Sequence, residues 1–527
     1  MKIRFVLAAL LSAVAVPAHA DWYEASSDHF VIYADDSEKD VREFATNLER
    51  YHSAMEFITG KQDTKPSPSA RVTVFVVGGQ SAMNRLSGDR FVGGFYSASA
   101  GFPRAFVQDI HNTNRSFLHV STITLLHEYT HHFLITSSRV LTPRWVTEGA
   151  AEFFSSASFE KDGSMYLGRP NQHRSLDFAY ARDLKIEALL DTDIYEEQKG
   201  NRYDQFYARS WLLYHYLMFG EGREGQLIDY RVAVANGKPS LEAAREVFGD
   251  LNQLDHDMDR YLKQRKMTTY HLTPEKIKTG KITLRRLPAG EAEMMDVRIV
   301  SQHGVSREEA LKLLPKAQAI AAKYPNDPGV LTALAEAEVD AGNEPAAIVA
   351  ADRAIALDPT RVNAYLQKGR ALFRQAGEAE DQAAAYKKAM EPYSALNKIE
   401  NDHPLPLIAY YRSFTDQGLE PNETARHALE RASELAPFDL NLTLNTGLML
   451  ATEGKIALAR KMLLPVAYNP HASSMAEKAS GYLESLETVE EGTAWRPDPS
   501  LALPAYEEDN EDEAEGVSSR PTAAPFR

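Results

Sequence analysis

The sequence predicts a multidomain protein in which an α+β domain is followed by an all-α solenoid. The chain has 527 residues, and a single hydrophobic core seldom serves more than about 250 to 300 residues. Apolar β-branched runs alternate with helical patterns over residues 21–270, whereas residues 306–486 contain helices rich in small residues at a spacing of about 34 residues. We expect a short linker, residues 271–305, between the two domains.

The first domain is predicted to begin with strands at residues 29–33 and 71–77, where β-branched and aromatic side chains dominate. A helix over residues 38–57 separates these strands, because its apolar residues follow a helical period. Two further extended segments are predicted at residues 94–96 and 104–108. This mixture of elements is typical of an α+β domain.

Small and apolar residues recur at matching places in the solenoid. Gly342 falls in the turn of the first unit, which closes at Pro359 and has four helix-packing residues, Leu334, Ala335, Ala347 and Ala354. A second unit follows after a predicted one-residue insertion, and helices at residues 308–323 and 472–486 are expected to flank the repeats. The pattern resembles the tetratricopeptide (TPR) family over residues 328–470, which implies a binding surface for a protein or peptide partner. Another antiparallel helical array is the alternative.

Three segments lie outside the two domains. Residues 1–20 combine basic residues, an apolar run and a small-residue ending, which predicts a cleaved signal peptide and export to the periplasm or medium of a bacterium. An uncleaved membrane anchor is the alternative. Residues 281–284 and 297–300 of the linker are predicted to be extended. Residues 487–527, rich in Pro, Glu and Asp, are expected to form a disordered acidic tail.

The composition excludes several kinds of function. The chain contains no cysteine, which excludes disulfides, a cysteine nucleophile and thiolate metal ligands. A formal net charge of −16 disfavours nucleic acid as a partner. Beyond the N-terminus no apolar run approaches the about 20 residues of a membrane-spanning helix, so no transmembrane segment is expected.

A pair of histidines carries the strongest functional signal. His127 and His131 flank Glu128 in an HExxH motif, within a helix that we expect to start near Ser116. Residues four apart on a helix share one face, so both imidazoles can reach a single ion. Glu148 follows His131 by 17 residues, in the pattern W-x-x-E-G-x-A-E. A catalytic zinc needs three protein ligands and an open position, and without cysteine the third is naturally a carboxylate. Two ordinary histidines on a helix are the alternative interpretation.

These two motifs together resemble the gluzincin clan of zinc peptidases, which includes the thermolysin and aminopeptidase-N families. The resemblance implies a zincin-like fold for residues 21–270 and Glu128 as the base that takes a proton from the attacking water. Glu152, one helical turn after Glu148, is expected to orient His127 through its second ring nitrogen. One Zn²⁺ per chain is expected on three ligands, His127, His131 and Glu148.

Further residues are assigned around this motif. Tyr207 opens a Y-x-x-S segment similar to the Y-x-x-G of aminopeptidase-like families, and this resemblance implies that Tyr207 donates a hydrogen bond to the oxyanion. Tyr203 is the other candidate for this role. The remaining alternative is that Tyr207 only packs in the core. His132 points about 100° away from its neighbour and is assigned a structural role. No G-x-M-E-N segment precedes the motif, so exopeptidase activity is not supported. Residues 93–97 and 104–108 are instead predicted to form an edge strand that aligns an extended peptide.

The sequence therefore predicts an exported, zinc-dependent metallopeptidase, most consistent with an endopeptidase, whose solenoid binds a protein or peptide partner. The alternative is a non-catalytic, peptidase-like and TPR interaction module of the cell envelope. The intact Glu128 favours the enzyme, because a site without catalysis has no physical reason to keep a general base.

Overall fold

The computed structural model describes residues 21–61, 65–88, 92–111, 118–137, 142–172, 174–200, 202–469 and 473–497. In these residues an α+β domain is followed by a helical solenoid, so the predicted order of fold classes is confirmed. That the first domain is a zincin stays a prediction. The predicted signal segment, the expected helix start at Ser116 and the tail beyond residue 497 lie outside the described residues.

The strands of the first domain form one large and one small sheet. The large sheet contains β1 (Trp22–Ser26), β2 (Phe30–Asp35), β3 (Val72–Val76), β4 (Gly94–Ser97), β5 (Arg104–Val107) and β9 (Thr283–Arg286), and the small one contains β6 (Ser158–Phe159), β7 (Met165–Leu167) and β8 (Tyr270–Leu272). The order in the large sheet is β4-β5-β3-β2-β1-β9. Strands β2, β3 and β5 are parallel, and the other pairings are antiparallel. The four predicted strands are confirmed, whereas β1 was not predicted.

Helices cover both faces of the large sheet. Those of the first domain are α1 (Glu38–Thr59), α2 (Gln80–Ser87), α3 (Val120–Ser137), α4 (Arg144–Ser155), α5 (Asp177–Tyr180), α6 (Ile186–Leu190), α7 (Thr192–Gln198), α8 (Phe206–Phe219), α9 (Gln226–Ala235), α10 (Ser240–Phe248) and α11 (Leu251–Leu262). Side chains alternate along a strand. Ile32 and Val74 therefore join the core beneath α1 and α3, whereas Tyr33 and Phe75 belong to a second core on the opposite face.

The predicted linker is a structural part of the fold. Its strand β9 joins the large sheet, and the chain then forms helix α12 (Ala289–His303), so the prediction of an extended segment at residues 297–300 is wrong. Ile299 packs on the sheet, while Val297 belongs to the first core of the solenoid. One helix thus joins the two domains, and a short apolar run of this kind does not distinguish a buried helix from a strand.

The second domain is a TPR-like solenoid of antiparallel helix pairs. After α13 (Arg307–Lys323), the pairs are α14 (Pro328–Asp340) with α15 (Glu344–Leu357), α16 (Val362–Gly377) with α17 (Gln382–Ile399), α18 (Pro404–Thr415) with α19 (Glu423–Leu435), and α20 (Leu440–Thr452) with α21 (Ile456–Ala467), followed by α22 (Ser473–Ser485). The first helices of the pairs begin at residues 328, 362, 404 and 440. The 34-residue spacing therefore holds once, and the second unit is longer than a one-residue insertion predicts.

The chain beyond the solenoid is ordered further than the sequence predicts. The Gly492 N–H donates to the Gly454 carbonyl at 2.8 Å, and the Trp495 N–H donates to the Ala451 carbonyl at 2.9 Å. Val489 and Trp495 also pack against the solenoid core. The prediction of disorder from residue 487 is therefore wrong for residues 487–497. None of the described helices combines the length and the apolar character that crossing a bilayer requires.

Candidate metal centre

Helix α3 presents the two histidines of the HExxH motif from one face. Thr130 and Phe133 are buried on its other face, against α1 and the sheet, and this packing fixes the rotation of the helix. His127 and His131, one turn apart, therefore turn toward α4, and each side chain is 12% exposed. Their Nε2 atoms are 3.2 Å apart.

Helix α4 brings a carboxylate to the same point. Gly149 allows α4 to cross α8 closely, because a Cβ atom at this position would lie 2.5 Å from the Ser210 carbonyl oxygen. The glycine after Glu148 thus has a packing reason, and the Glu148 side chain is fully buried. Its Oε2 atom lies 3.3 Å from His127 Nε2 and 3.5 Å from His131 Nε2.

The three donor atoms have the spacing of a tetrahedral zinc site. Ligands at about 2.0 to 2.1 Å from a tetrahedral zinc lie about 3.3 to 3.4 Å from one another. The three observed separations, 3.2, 3.3 and 3.5 Å, bracket this value. His127, His131 and Glu148 therefore fit three corners of such a site, and among the described residues no fourth His, Asp or Glu joins this group.

A buried hydrogen-bond network contacts His127 at its second ring nitrogen, Nδ1. Glu152 Oε1 lies 3.4 Å from His127 Nδ1, which is the arrangement expected of a carboxylate that orients a ligand. The same oxygen accepts from Arg174 Nε at 3.0 Å, and Glu152 Oε2 accepts from Asn171 Nδ2 at 2.6 Å. Burial raises the pKa of Glu152, but Arg174 and His127 outweigh burial and hold it below its usual value. Asn171 and Arg174 lack a recognisable spacing from the motif, so the sequence does not reveal them.

The charge of the site also suits a cation. Burial alone would lower the pKa of His127, yet the carboxylates of Glu148 and Glu152 raise it to about 9. The surrounding carboxylates thus favour a positive charge at this position. A divalent cation would supply this charge and leave the imidazole neutral, as a metal ligand must be.

Glu128 lies where α3 packs against strands β4 and β5. Together with Gly94, Tyr96 and Phe106 it borders a space too narrow for a water molecule, and it is half-buried. After burial, the negative charge of Glu128 is the second cause that raises the pKa of the Tyr96 hydroxyl. A carboxylate in this place lies beside the donor atoms without belonging to them.

The two candidate tyrosines have different surroundings. The Tyr207 ring centroid lies 6.4 Å from that of His127, and the Arg174 guanidinium lies over the Tyr207 ring at 4.8 Å. Burial and then Glu148 raise the pKa of Tyr207, so its hydroxyl keeps the proton that a hydrogen-bond donor needs. The Tyr203 hydroxyl donates to Asp177 Oδ2 at 2.9 Å and accepts from Arg174 Nη1 at 2.9 Å. Tyr203 is therefore engaged in holding Arg174.

Strand β4 is an edge of the large sheet, as residues 93–97 predict. Strand β5 is paired on both sides, with β3 and β4, so the prediction that residues 104–108 contribute to the edge is wrong. Helix α3, which carries Glu128, packs against residues of both β4 and β5. His132 is buried and points away from the donor atoms, since its Nδ1 atom lies 2.6 Å from the Tyr96 hydroxyl.

A family model and several solved structures match parts of the chain. A family model described as "Protein of unknown function (DUF1570)" matches residues 119–240. This match spans α3, α4 and α8, and so includes the candidate residues from His127 to Tyr207. It carries no statement about activity. A comparison with curated proteins gave no match.

Solved structures are similar to part of the chain. The crystal structure of TTC0263, a thermophilic TPR protein in Thermus thermophilus, has 13% identity and a TM-score of 0.29 over 36% of this chain and 94% of that chain. The crystal structure of MamA has 20% identity and a TM-score of 0.24 over 38% of this chain and 100% of that chain. The MamA RS-1 ArsTM double mutant has 18% identity and a TM-score of 0.24 over 37% and 94% of the two chains. With TM-scores this low, the description of the solenoid rests on its own helix pairs.

Proposed function

We propose that the first domain binds one zinc ion through His127, His131 and Glu148 and hydrolyses peptide bonds. One observation carries this proposal: the three donor atoms lie at 3.2, 3.3 and 3.5 Å from one another around a fully buried carboxylate. Structural zinc sites close all four positions with protein ligands, whereas catalytic sites use three. The donor set is of the catalytic type.

Each neighbouring residue then has a defined task. A bound zinc ion would polarise a water molecule and the scissile carbonyl group. Glu128 accepts the proton of the attacking water and passes it to the leaving amine. Glu152 and Arg174 hold the His127 ring in one orientation. Tyr207, which keeps its proton, donates a hydrogen bond to the oxyanion of the substrate.

The edge strand supports a peptide as the substrate. An extended peptide that pairs with the outer side of β4, which is an edge strand among the described strands, would lie near Glu128, because α3 packs against this strand. The sequence has no G-x-M-E-N segment for a free amino terminus, which favours an endopeptidase. We propose that the protein is exported, on the basis of residues 1–20, and that the solenoid recruits a protein or peptide partner.

A second candidate is a non-catalytic, peptidase-like interaction module. The family model that matches residues 119–240 gives no support to a peptidase, and the helix pairs of the solenoid are typical of an interaction surface, so this alternative remains a candidate. The alternative gives no role to Glu128.

Replacement of the proposed base separates the two candidates. Glu128→Gln removes the proton acceptor but keeps size and all three donors, so the variant should bind zinc as the unmodified protein does. Its rate of peptide cleavage should fall by about 10²- to 10⁴-fold or more. The measurements are zinc per chain by elemental analysis and cleavage of a proteome-derived peptide library by the mature protein.

Two outcomes would contradict the peptidase. A folded, zinc-loaded Glu128→Gln protein that cleaves a verified substrate at the unmodified rate excludes the proposed base. An unmodified protein that binds zinc but cleaves no peptide in the library supports the interaction module instead.

A further inference from the structure

The loop between β4 and β5 is anchored on the solenoid. The Ala100 N–H donates to Asp439 Oδ2 at 2.8 Å, and Asp439 is 4% exposed. The other oxygen of Asp439 accepts from the Leu442 N–H at 2.9 Å and so caps helix α20. One buried carboxylate therefore joins the start of a solenoid helix to the loop that follows the edge strand.

The same loop approaches the solenoid too closely for any side chain at its glycine. Gly101 has φ of +73°, and a Cβ atom there would lie 2.7 Å from His403 Cε1 and 3.1 Å from Leu405 Cγ. His403 is buried and caps helix α18 through its Nδ1 atom. Ala98 and Ala100 pack into the solenoid core. The loop is thus held by two helix starts, those of α18 and α20.

A second set of contacts links the solenoid to α3 and β4 on the side of α3 away from the donor atoms. The ring of Phe438, the residue before Asp439, lies 4.8 Å from the His132 ring on α3. His132 Nδ1 in turn lies 2.6 Å from the hydroxyl of Tyr96 on β4. Phe438, His132 and Tyr96 therefore form a continuous path from the solenoid through α3 to the edge strand.

These contacts add to the packing that holds the middle of β4, where the Phe95 ring stacks on Phe106 of β5 at 4.7 Å and lies edge-on to His303 of α12 at 4.8 Å. The strand has four residues and pairs only with β5 among the described strands. At its start, Gly93 lies against Val120 and Thr124 of α3. At its end, the position of the strand depends on the loop that Asp439 and His403 hold. A peptide paired with β4 inherits any displacement of the strand relative to Glu128.

We propose that Phe438 and Asp439 of the solenoid are positioning residues for an extended peptide substrate, because they hold β4 in register with the metal-binding helix. This inference rests on the proposed peptidase function. Displacement of a bound substrate by about 1 Å can reduce its reaction rate by about 10²-fold. The solenoid is then part of the substrate cleft as well as a binding surface.

Two substitutions test this role in the full-length chain. Asp439→Ser keeps a helix-capping oxygen on α20 but is too short to reach the Ala100 N–H. Gly101→Ala forces the loop away from His403. Matched controls are Asp381→Ser, at the exposed cap of α17, and Gly418→Ala, where φ is +68° and no atom lies within 4 Å of an added Cβ.

The first readout requires no substrate. Hydrogen–deuterium exchange at residues 94–97 should be faster in both test variants than in both controls, with zinc per chain unchanged. The second readout is steady-state kinetics on a quenched fluorescent peptide drawn from the library. Per folded, zinc-loaded molecule, kcat/KM should fall by about 10- to 100-fold, with a raised KM.

Each contrary result has a distinct meaning. Equal exchange at β4 in the test variants and the controls overturns the proposal. Faster exchange with unchanged KM and unchanged kcat per folded molecule also overturns it, since the contacts would then serve stability alone. A zinc-loaded wild-type protein that cleaves no peptide overturns the proposed function and the substrate role together, whereas the exchange comparison still decides whether the solenoid holds β4.

Discussion

Two groups of side chains in the described part of the chain bring three possible ligand atoms within 4.8 Å of one another, and they differ in what holds them. The first is the candidate metal centre of His127, His131 and Glu148. Its residues lie on the packed helices α3 and α4, and Glu152 orients one of its histidines. The second group consists of Asp36, Asp109 and His111.

The second group stands at the ends of strands and faces water. His111 Nδ1 lies 2.8 Å from Asp109 Oδ1, while Nε2 lies 3.5 Å from Asp36 Oδ1. The side chain of His111 is 55% exposed. These residues already satisfy one another by ordinary ion pairing, which explains their proximity without a metal. The two groups therefore differ in burial and in support by packed helices, although their donor atoms are similarly close together.

The largest expected effect is on zinc content. His131→Ala and Glu148→Ala should each lose most of the bound zinc, because two remaining donors cannot define a three-ligand site. His111→Ala, which changes the exposed group, should retain about one zinc per chain. The measurement is elemental analysis of purified, dialysed protein, with circular dichroism as the check that each variant is folded.

Zinc retained in both His131→Ala and Glu148→Ala would show that the ligand set is wrong. Zinc lost from His111→Ala would remove the distinction between the two groups.

The contrast also shows what the sequence could predict. HExxH specifies two donors on one helical face, and the carboxylate on α4 follows from the need for a third ligand without cysteine. The support of His127 could be predicted only for Glu152, one turn from Glu148. Asn171 and Arg174 reach Glu152 from an irregular segment, where no period relates sequence distance to spatial distance.

The fold shows a similar limit. Strands β2 and β3 and helix α1 have clear periodicity, and the sequence predicts them well. Helix α12 buries residues on two sides, against the sheet and against the solenoid, so its apolar residues do not mark a single helical face. The anchoring of Ala100 by Asp439 depends on tertiary contact across 339 positions of sequence, which no local pattern encodes.

An intermediate effect is expected at the tyrosines of the buried centre. Tyr207→Phe should reduce kcat by about 10- to 1000-fold, since zinc still stabilises part of the oxyanion. Tyr203→Phe should have a smaller effect, because its hydroxyl is engaged with Asp177 and Arg174. Steady-state kinetics on one verified substrate, normalised to zinc content, would compare them. A larger loss of kcat in Tyr203→Phe than in Tyr207→Phe would show that Tyr203, and not Tyr207, donates to the oxyanion.

The smallest expected effect concerns the pH dependence of stability at the exposed group. The hydrogen bond to Asp109 raises the pKa of His111, burial opposes it, and Asp36 and Asp40 add to the rise. A histidine whose pKa is higher in the folded state stabilises that state fully below the unfolded pKa of about 6.5. This stabilisation is lost as the pH rises through the folded-state pKa. The effect should be small because the side chain is more than half exposed to solvent.

Urea unfolding of the wild type and His111→Gln at pH 5.5 and 8.5 would isolate this contribution. The wild type should have the higher midpoint at pH 5.5, and the two midpoints should coincide at pH 8.5. The buried His52 and His132 act in the opposite direction, because burial lowers the pKa of each to about 3, so acidification below about pH 6.5 destabilises both proteins equally. Because this loss of stability is the same in both proteins, it cancels when their urea midpoints are compared at one pH. A difference that grows from pH 5.5 to pH 8.5 would contradict the sign derived for His111.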